Sequence, residues 1–205
     1  MNFNRALNIL KKNDMVLVES ANDNVVVTCR KRIQDHIIRV KHFYNILVES
    51  GQIPLEDIDI KRVIKHDADK LKYNNLKRQA LRYCGDRQLT QEEKEQIHEV
   101  VMEHIKSNPH HCEYWGAGDY KSMGINCKEM NDTFLYEMCA DWAATSEENG
   151  NSLMGWCDKV INNKFMFTEH QVDLIYSVCN YLKDYIDPSL KRDYGLKSIK
   201  LSKLW

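Results

Sequence analysis

Proline and glycine are scarce, three and eight in 205 residues. So little punctuation argues against a chain of short strands and turns, and for long helices. No stretch approaches the ~18 to 20 consecutive apolar residues of a membrane-spanning helix. The opening MNFNRALNILKKNDMVLVES has one positive charge before a short, interrupted apolar stretch and no small-residue cleavage site. It therefore does not read as a signal peptide, and a cytoplasmic protein with no membrane partner is expected. An excess of either charge is also missing: 29 basic and 30 acidic residues leave a formal net charge of -1. That balance gives no overall reason to expect nucleic acid as a partner. The seven cysteines form no C-x-x-C pair, which points to reduced thiols used as core filler. No G-x-x-x-x-G-K-[ST] run is present, so a P-loop phosphate cradle is not expected.

What is present is ordinary for one globular domain: 43% hydrophobic and 29% charged residues. The β-branched runs MVLVES and NVVVTCR, separated by ANDN, read as a small N-terminal hairpin within residues 1–30. From Arg32 the period becomes helical. Ile33, Ile37, Val40, Tyr44 and Leu47 form one stripe, ended by Gly51 and Pro54. A second helix is expected from near Asp57 with Ile60, Val63 and Ile64, and a third from about Asn74 to Cys84. Thr90 and Glu93 form a capping box for a fourth carrying Ile97, Val100 and Val101. Asp132 is expected to cap a fifth through Ala144. Residues 151–164 and 168–186 give two more, before a polar tail. The expected fold is all-α, a single helical bundle over 1–205 with its core at about 32–146 and C-terminal helices and tail over 150–205.

Several ionisable residues fall on the apolar stripes. His36 is in register with Ile33, Val40 and Leu47; Asp67 continues Ile60, Val63 and Ile64; His104 follows Val100 and Val101; Asp141 lies within EMCADWAAT. One such histidine is ordinarily a hydrogen-bonded core residue. Inward aspartates are costlier, because an unpaired buried carboxylate is strongly disfavoured. A shared divalent cation would neutralise both carboxylates and use the imidazoles as neutral donors. Adjacent His66 and Asp67 would point about 100° apart on a helix, so they can grip one ion only near a helix end that faces a cleft.

The order His36, His66-Asp67, Asp141 resembles the HD-domain metal-dependent phosphohydrolase superfamily. DHIIRV is similar to its first-histidine helix, VIKHDADK to its HD-x-x-K form, and ADWAAT to the segment around its last aspartate. NPHHCEYW most resembles a bacterial and phage branch with an N-x-H-H-x-E run. The likeness spans roughly residues 32–146. It implies an HD-like bundle in which His36, His66, Asp67 and Asp141 hold a divalent metal: manganese, cobalt, nickel, iron, zinc or magnesium. In that family the ion binds a phosphoryl oxygen and lowers the pKa of a water that cleaves the P–O bond.

The resemblance also implies that Lys70 contacts a phosphate. The glutamate used by some nucleotidases is absent, leaving Asp69 either as its substitute or as a helix-surface carboxylate. His104, His110 and His111 are candidates for a second metal or for orienting phosphate, and Glu113 for orienting a ligand histidine. His42, His98 and His170 read as structural or exposed. Trp115 and Trp142 read as core packing, with stacking on a base as the alternative. Gly116, Ala117, Gly118 and residues 120–131 are expected to line the cleft. The expected substrate is a nucleotide or another small phosphorylated molecule, and a homo-oligomer remains open. Two further functions compete: a mixed-valent di-iron oxygenase, and a nucleotide-binding module that has lost turnover.

Overall fold

The computed structural model describes residues 23–83, 88–116 and 118–194, and over these the protein is all-α. Helix α1 (Asp23–Glu49) is longer than its stripe suggested. It absorbs NVVVTCR, which is helical and not half of a hairpin; MVLVES lies outside the described residues. Burial explains the difference. Val25 and Val26 pack on a small cluster of Cys29, Ile33, Ile37, Leu76 and Ala80, and that helical spacing overrides the β preference of valine. Further along, Val40, Tyr44 and Leu47 are fully buried. Gly51, at φ 69°, follows the helix end.

The expected second helix is only one turn, α2 (Ile60–Val63). Val63 is buried, whereas Ile60 and Ile64 are exposed, so they form no inward stripe. The chain instead tightens through residues 64–67 and enters a 3-10 turn at Ala68–Leu71. Asp67 sits at this junction in the left-handed conformation, φ 55°. Aspartate is among the few non-glycine residues that adopt it readily.

Helix α3 (Tyr73–Ala80) packs on α1. Helix α4 (Gln91–Ser107) begins with the expected capping box, Glu93 N donating to Thr90 Oγ1 at 3.2 Å and Thr90 N to Glu93 Oε2 at 2.9 Å. One turn, α5 (Cys112–Trp115), follows the His-His run. Helix α6 (Asp132–Asn149) is capped by Asn131, not Asp132, and runs past Ala144 to Gly150 at φ 67°. Helices α7 (Leu153–Val160) and α8 (Glu169–Leu182) complete the set. Two short strands, β1 (Ile125–Asn126) and β2 (Phe165–Met166), pair in parallel, Ile125 opposite Phe165. Neither was visible in the sequence, since two residues carry no alternation to detect.

The main core lies where α1, α6 and α8 meet. Helix α6 is apolar or small on nearly all sides, with Cys139, Ala140, Ala143 and Ala144 wholly buried. Small side chains allow α1 to approach it closely. The described cysteines are free and buried, as expected of core filler; Cys84 lies outside the described residues.

Buried Gln171 fastens the loop before α6. Its Nε2 donates to the carbonyl of Met130 at 2.6 Å, and to those of Cys127 and Lys128 at 3.3 Å each. Its Oε1 accepts from Thr168 N at 2.8 Å. Replacing Gln171 with Leu strands these groups in the interior, where each unmet partner costs about 1–3 kcal/mol. A urea midpoint lowered by at least that free energy, at unchanged slope, is the expected result. An unchanged midpoint would show that the loop holds without it.

Candidate metal centre

Four segments converge on one buried point. The middle of α1 brings His36, the turn after α2 brings His66 and Asp67, the end of α4 with the segment after it brings His104, His110 and His111, and α6 brings Asp141. The left-handed backbone at Asp67 resolves the adjacency problem. A regular helix would splay neighbours apart, whereas here His66 Nε2 and Asp67 Oδ1 lie 3.7 Å apart.

Asp67 stands between two groups of donors. On one side, ligand atoms of His36, His66 and Asp67 lie within 4.8 Å of one another. Asp141 joins this side: its Oδ1 is 3.0 Å from His36 Nε2, and it clusters with His66 and His110. On the other side Asp67, His104, His110 and His111 form a second set within the same limit. The oxygens divide only in part, since Oδ1 also faces His66 Nε2 at 3.7 Å. Oδ1 lies 3.2 Å from His104 Nε2 and 3.6 Å from His110 Nε2, while Oδ2 lies 3.8 Å from His36 Nε2. Lys70 Nζ also reaches Oδ2, at 2.5 Å.

Three of these atoms, His66 Nε2, Asp67 Oδ1 and His110 Nε2, are buried with no hydrogen-bond partner. The 3.2 Å approach of His104 to Oδ1 lacks hydrogen-bonding geometry. Orphaned buried polar atoms are rare and costly, and these three face each other. Donors around one ion at about 2.1 Å cannot be much more than ~4.2 Å apart, so a slight contraction closes either set. The donors are imidazoles and carboxylates, a mixture suited to zinc, iron, cobalt, nickel or manganese.

Behind four of the five histidines stands a carboxylate. Glu137 Oε1 faces His66 Nδ1 at 2.8 Å and His110 Nδ1 at 3.2 Å. Glu148 Oε2 is 3.4 Å from His36 Nδ1, and Asp69 Oδ2 is 2.8 Å from His104 Nδ1. A carboxylate at Nδ1 fixes the ring's orientation, so that in the neutral ring the Nε2 lone pair would face inward. Asp69 is therefore neither a free surface group nor turned toward the centre; it holds His104, and Asn108 Nδ2 donates to it at 3.2 Å. Glu137 and Glu148 were not singled out in the sequence. With Asp141 they are spaced by four and seven residues, one face of α6, and that acidic stripe on an apolar helix was the available signal. Arg62 and Arg32 pair with Glu137 and Glu148 in turn.

The electrostatics follow. Burial opposes protonation of His36, but Asp141 and Glu148 raise its pKa to about 9. Burial and Lys70 oppose protonation of His104, yet Asp67 and Asp69 raise it. His110 is lowered by burial and His66, and His111 is pushed well down by burial and its histidine neighbours. Burial would raise Glu137, but His110 and His66 hold it down to about 2.

A cleft of about 310 Å³ opens onto the centre at His110, His111 and Asp141, between Trp142, Trp156 and Lys164. None of the described residues 116–131 lines it. Gly116 and Gly118 pack instead on Ile125, where an added Cβ on Gly116 would come within 2.4 Å of the Ile125 side chain. Glu113 does not orient a histidine; its Oε1 accepts from Lys164 Nζ at 2.9 Å. Trp115 is core, donating from Nε1 to the Pro109 carbonyl and packing on Phe134, while Trp142 faces the cleft. His42 and His170 are exposed. His98 is half-buried near Asp119. These three lie outside the cluster.

Fold and site together define an all-helical protein with clustered histidine and aspartate side chains that could hold metal ions. The chain belongs to a family of unknown function (DUF5662), matched over residues 26–187. No curated protein and no solved structure matches it. Among the described residues, no helix is long and apolar enough to cross a membrane.

Two outcomes test the centre. Glu137→Gln keeps shape but not charge, so it should lower metal affinity by roughly ten- to a hundredfold without loss of helix content; unchanged calorimetric affinity would remove Glu137 from the centre. The second outcome concerns pH. Without an ion, His36 keeps its proton up to about pH 9, against 6.5 for the unperturbed group. Its stabilising contribution is thus complete below 6.5 and lost as pH rises through 9. A cation needs the neutral ring, so apparent metal affinity should rise from pH 6.5 toward 9, with protons released on binding. A pH-independent affinity would contradict this.

Proposed function

We propose that the protein is a metal-dependent phosphohydrolase of the HD type, with two divalent ions sharing the Asp67 carboxylate and a small phosphoester as substrate. One observation carries the reading: Asp67 Oδ1 is buried without a partner among imidazole nitrogens, and the rings of His36, His66, His104 and His110 are each backed by a carboxylate. Such a site is poor as packing and good as a pair of cation seats. Bound there, divalent ions supply Lewis acidity toward a phosphoryl oxygen and an activated water near neutral pH.

The side chains divide the remaining work. Glu137, Glu148 and Asp69 hold the rings in place. Lys70 is no ligand, since an ammonium has no lone pair, and its Nζ sits at Asp67 Oδ2 on the edge of the first donor set. Were Asp67 to hold a cation, Lys70 would be released to neutralise charge on the reacting phosphoryl group. The cleft at Asp141 and His111 admits the substrate.

A di-iron oxygenase is the competing chemistry, favoured by the same sharing of Asp67 and the imidazole-rich donors. Lys70→Met discriminates between them together with metal analysis. Metal content should be retained, because a competitor for Asp67 has been removed, while phosphate release falls by roughly a hundred- to a thousandfold. Wild-type hydrolysis by this variant would sink the role given to Lys70. Oxygen consumption by the iron-loaded protein, with no phosphate released from mono- or triphosphates or cyclic dinucleotides, would favour the oxygenase.

A further inference from the structure

The cleft beside the centre has an aromatic wall that the metal chemistry leaves unused. Trp142 and the Asp141 carboxylate both line this space. Trp156 meets Trp142 edge-on at 6.1 Å, and Phe165 lies nearly parallel to Trp142 at 6.5 Å. Trp156 is 37% exposed, an unusual position for a side chain whose ordinary use is burial. At the rim Asn151 adds an amide, which offers both a donor and an acceptor.

We propose that this cleft receives a single planar aromatic ring of the substrate, stacked on Trp142 and Trp156, which buried Phe165 backs from the core, with the reacting group toward Asp141 and His111. Size limits the ligand to one ring system. About 310 Å³ is at the bottom of the range for small-molecule sites, roughly 300–1,000 Å³, which suits one ring system inside the cleft. Chemistry selects the ring over an alkyl chain. A flat π-system gains from offset or edge-on contact with indoles, and a heteroaromatic edge can use the Asn151 amide. An alkyl chain uses neither. The proposal rests on the hydrolase reading only for the nature of the reacting group.

The test uses stable ligands, so that binding and turnover are read separately. The ion-loaded full chain is titrated calorimetrically with benzylphosphonate and with butylphosphonate. The wild type should prefer the aromatic probe by roughly five- to a hundredfold, the span of one stacking contact. Trp156→Ala should abolish the preference while leaving metal content unchanged, and Trp156→Phe should retain most of it. Equal affinities in the wild type, failure to bind the aromatic probe, or a preference that survives Trp156→Ala would each overturn the ring site. Hydrolysis of phenyl phosphate and butyl phosphate is measured in parallel. An aromatic preference in binding with no phosphate released from either supports the ring site and removes the hydrolase reading.

Discussion

The buried carboxylate of Asp67 is the constraint around which the other side chains are arranged. It is 1% exposed, in left-handed backbone, with one oxygen unpartnered. A lone charge in that position would be prohibitively costly. The surroundings make it tolerable. Five carboxylates gather here: Asp67, Asp69, Glu137, Asp141 and Glu148. Three permanent cations, Lys70, Arg62 and Arg32, pair with members of the group. Two negative charges are left over. The raised pKa values of His36 and His104 follow from that imbalance. A metal ion seated here would compete with protons for the same deficit of positive charge, with His110 and His111, whose protonation burial opposes, as donors.

Helix α6 makes this economy geometrically possible. Its buried alanines bring α1 close enough for His36 to meet Asp141 at 3.0 Å. Its acidic face serves both halves of the cluster, Glu137 reaching His66 and His110 while Glu148 reaches His36. Helix packing and ligand orientation are thus one structural fact, and a shift of α6 along α1 would disturb both donor sets together.

Much of this was legible in the sequence, and the failures have identifiable causes. His36, Asp67, His104 and Asp141 stood out because polar groups on apolar stripes demand partners, His66 because it adjoins Asp67, and the structure brings all five together. For Asp67 the reasoning was incomplete: no helix carries it inward, and a left-handed turn does. Helical periodicity cannot reveal such a residue. Glu137 and Glu148 escaped because glutamate in a helix usually faces solvent, and their burial depends on α1 lying alongside. Val25–Val27 misled because β propensity is a weak prior against tertiary burial. Trp156 and Lys164 reach the cleft from a segment anchored by the β1–β2 pairing, which leaves no pattern in the chain.

A buried group of histidines and carboxylates could be a structural staple, but its two sides differ. Behind the rings, every Nδ1 of His36, His66, His104 and His110 meets a carboxylate. In front, donors from both sets, Asp141 with His110 and His111, line an open cleft. Structural metal sites are closed on all sides, whereas catalytic ones keep a position accessible. A centre braced behind and open in front would hold its ligands rigid and leave access for a substrate, as the proposed function requires. That asymmetry, more than the number of ligands, is the physical ground for reading the cluster as a working site.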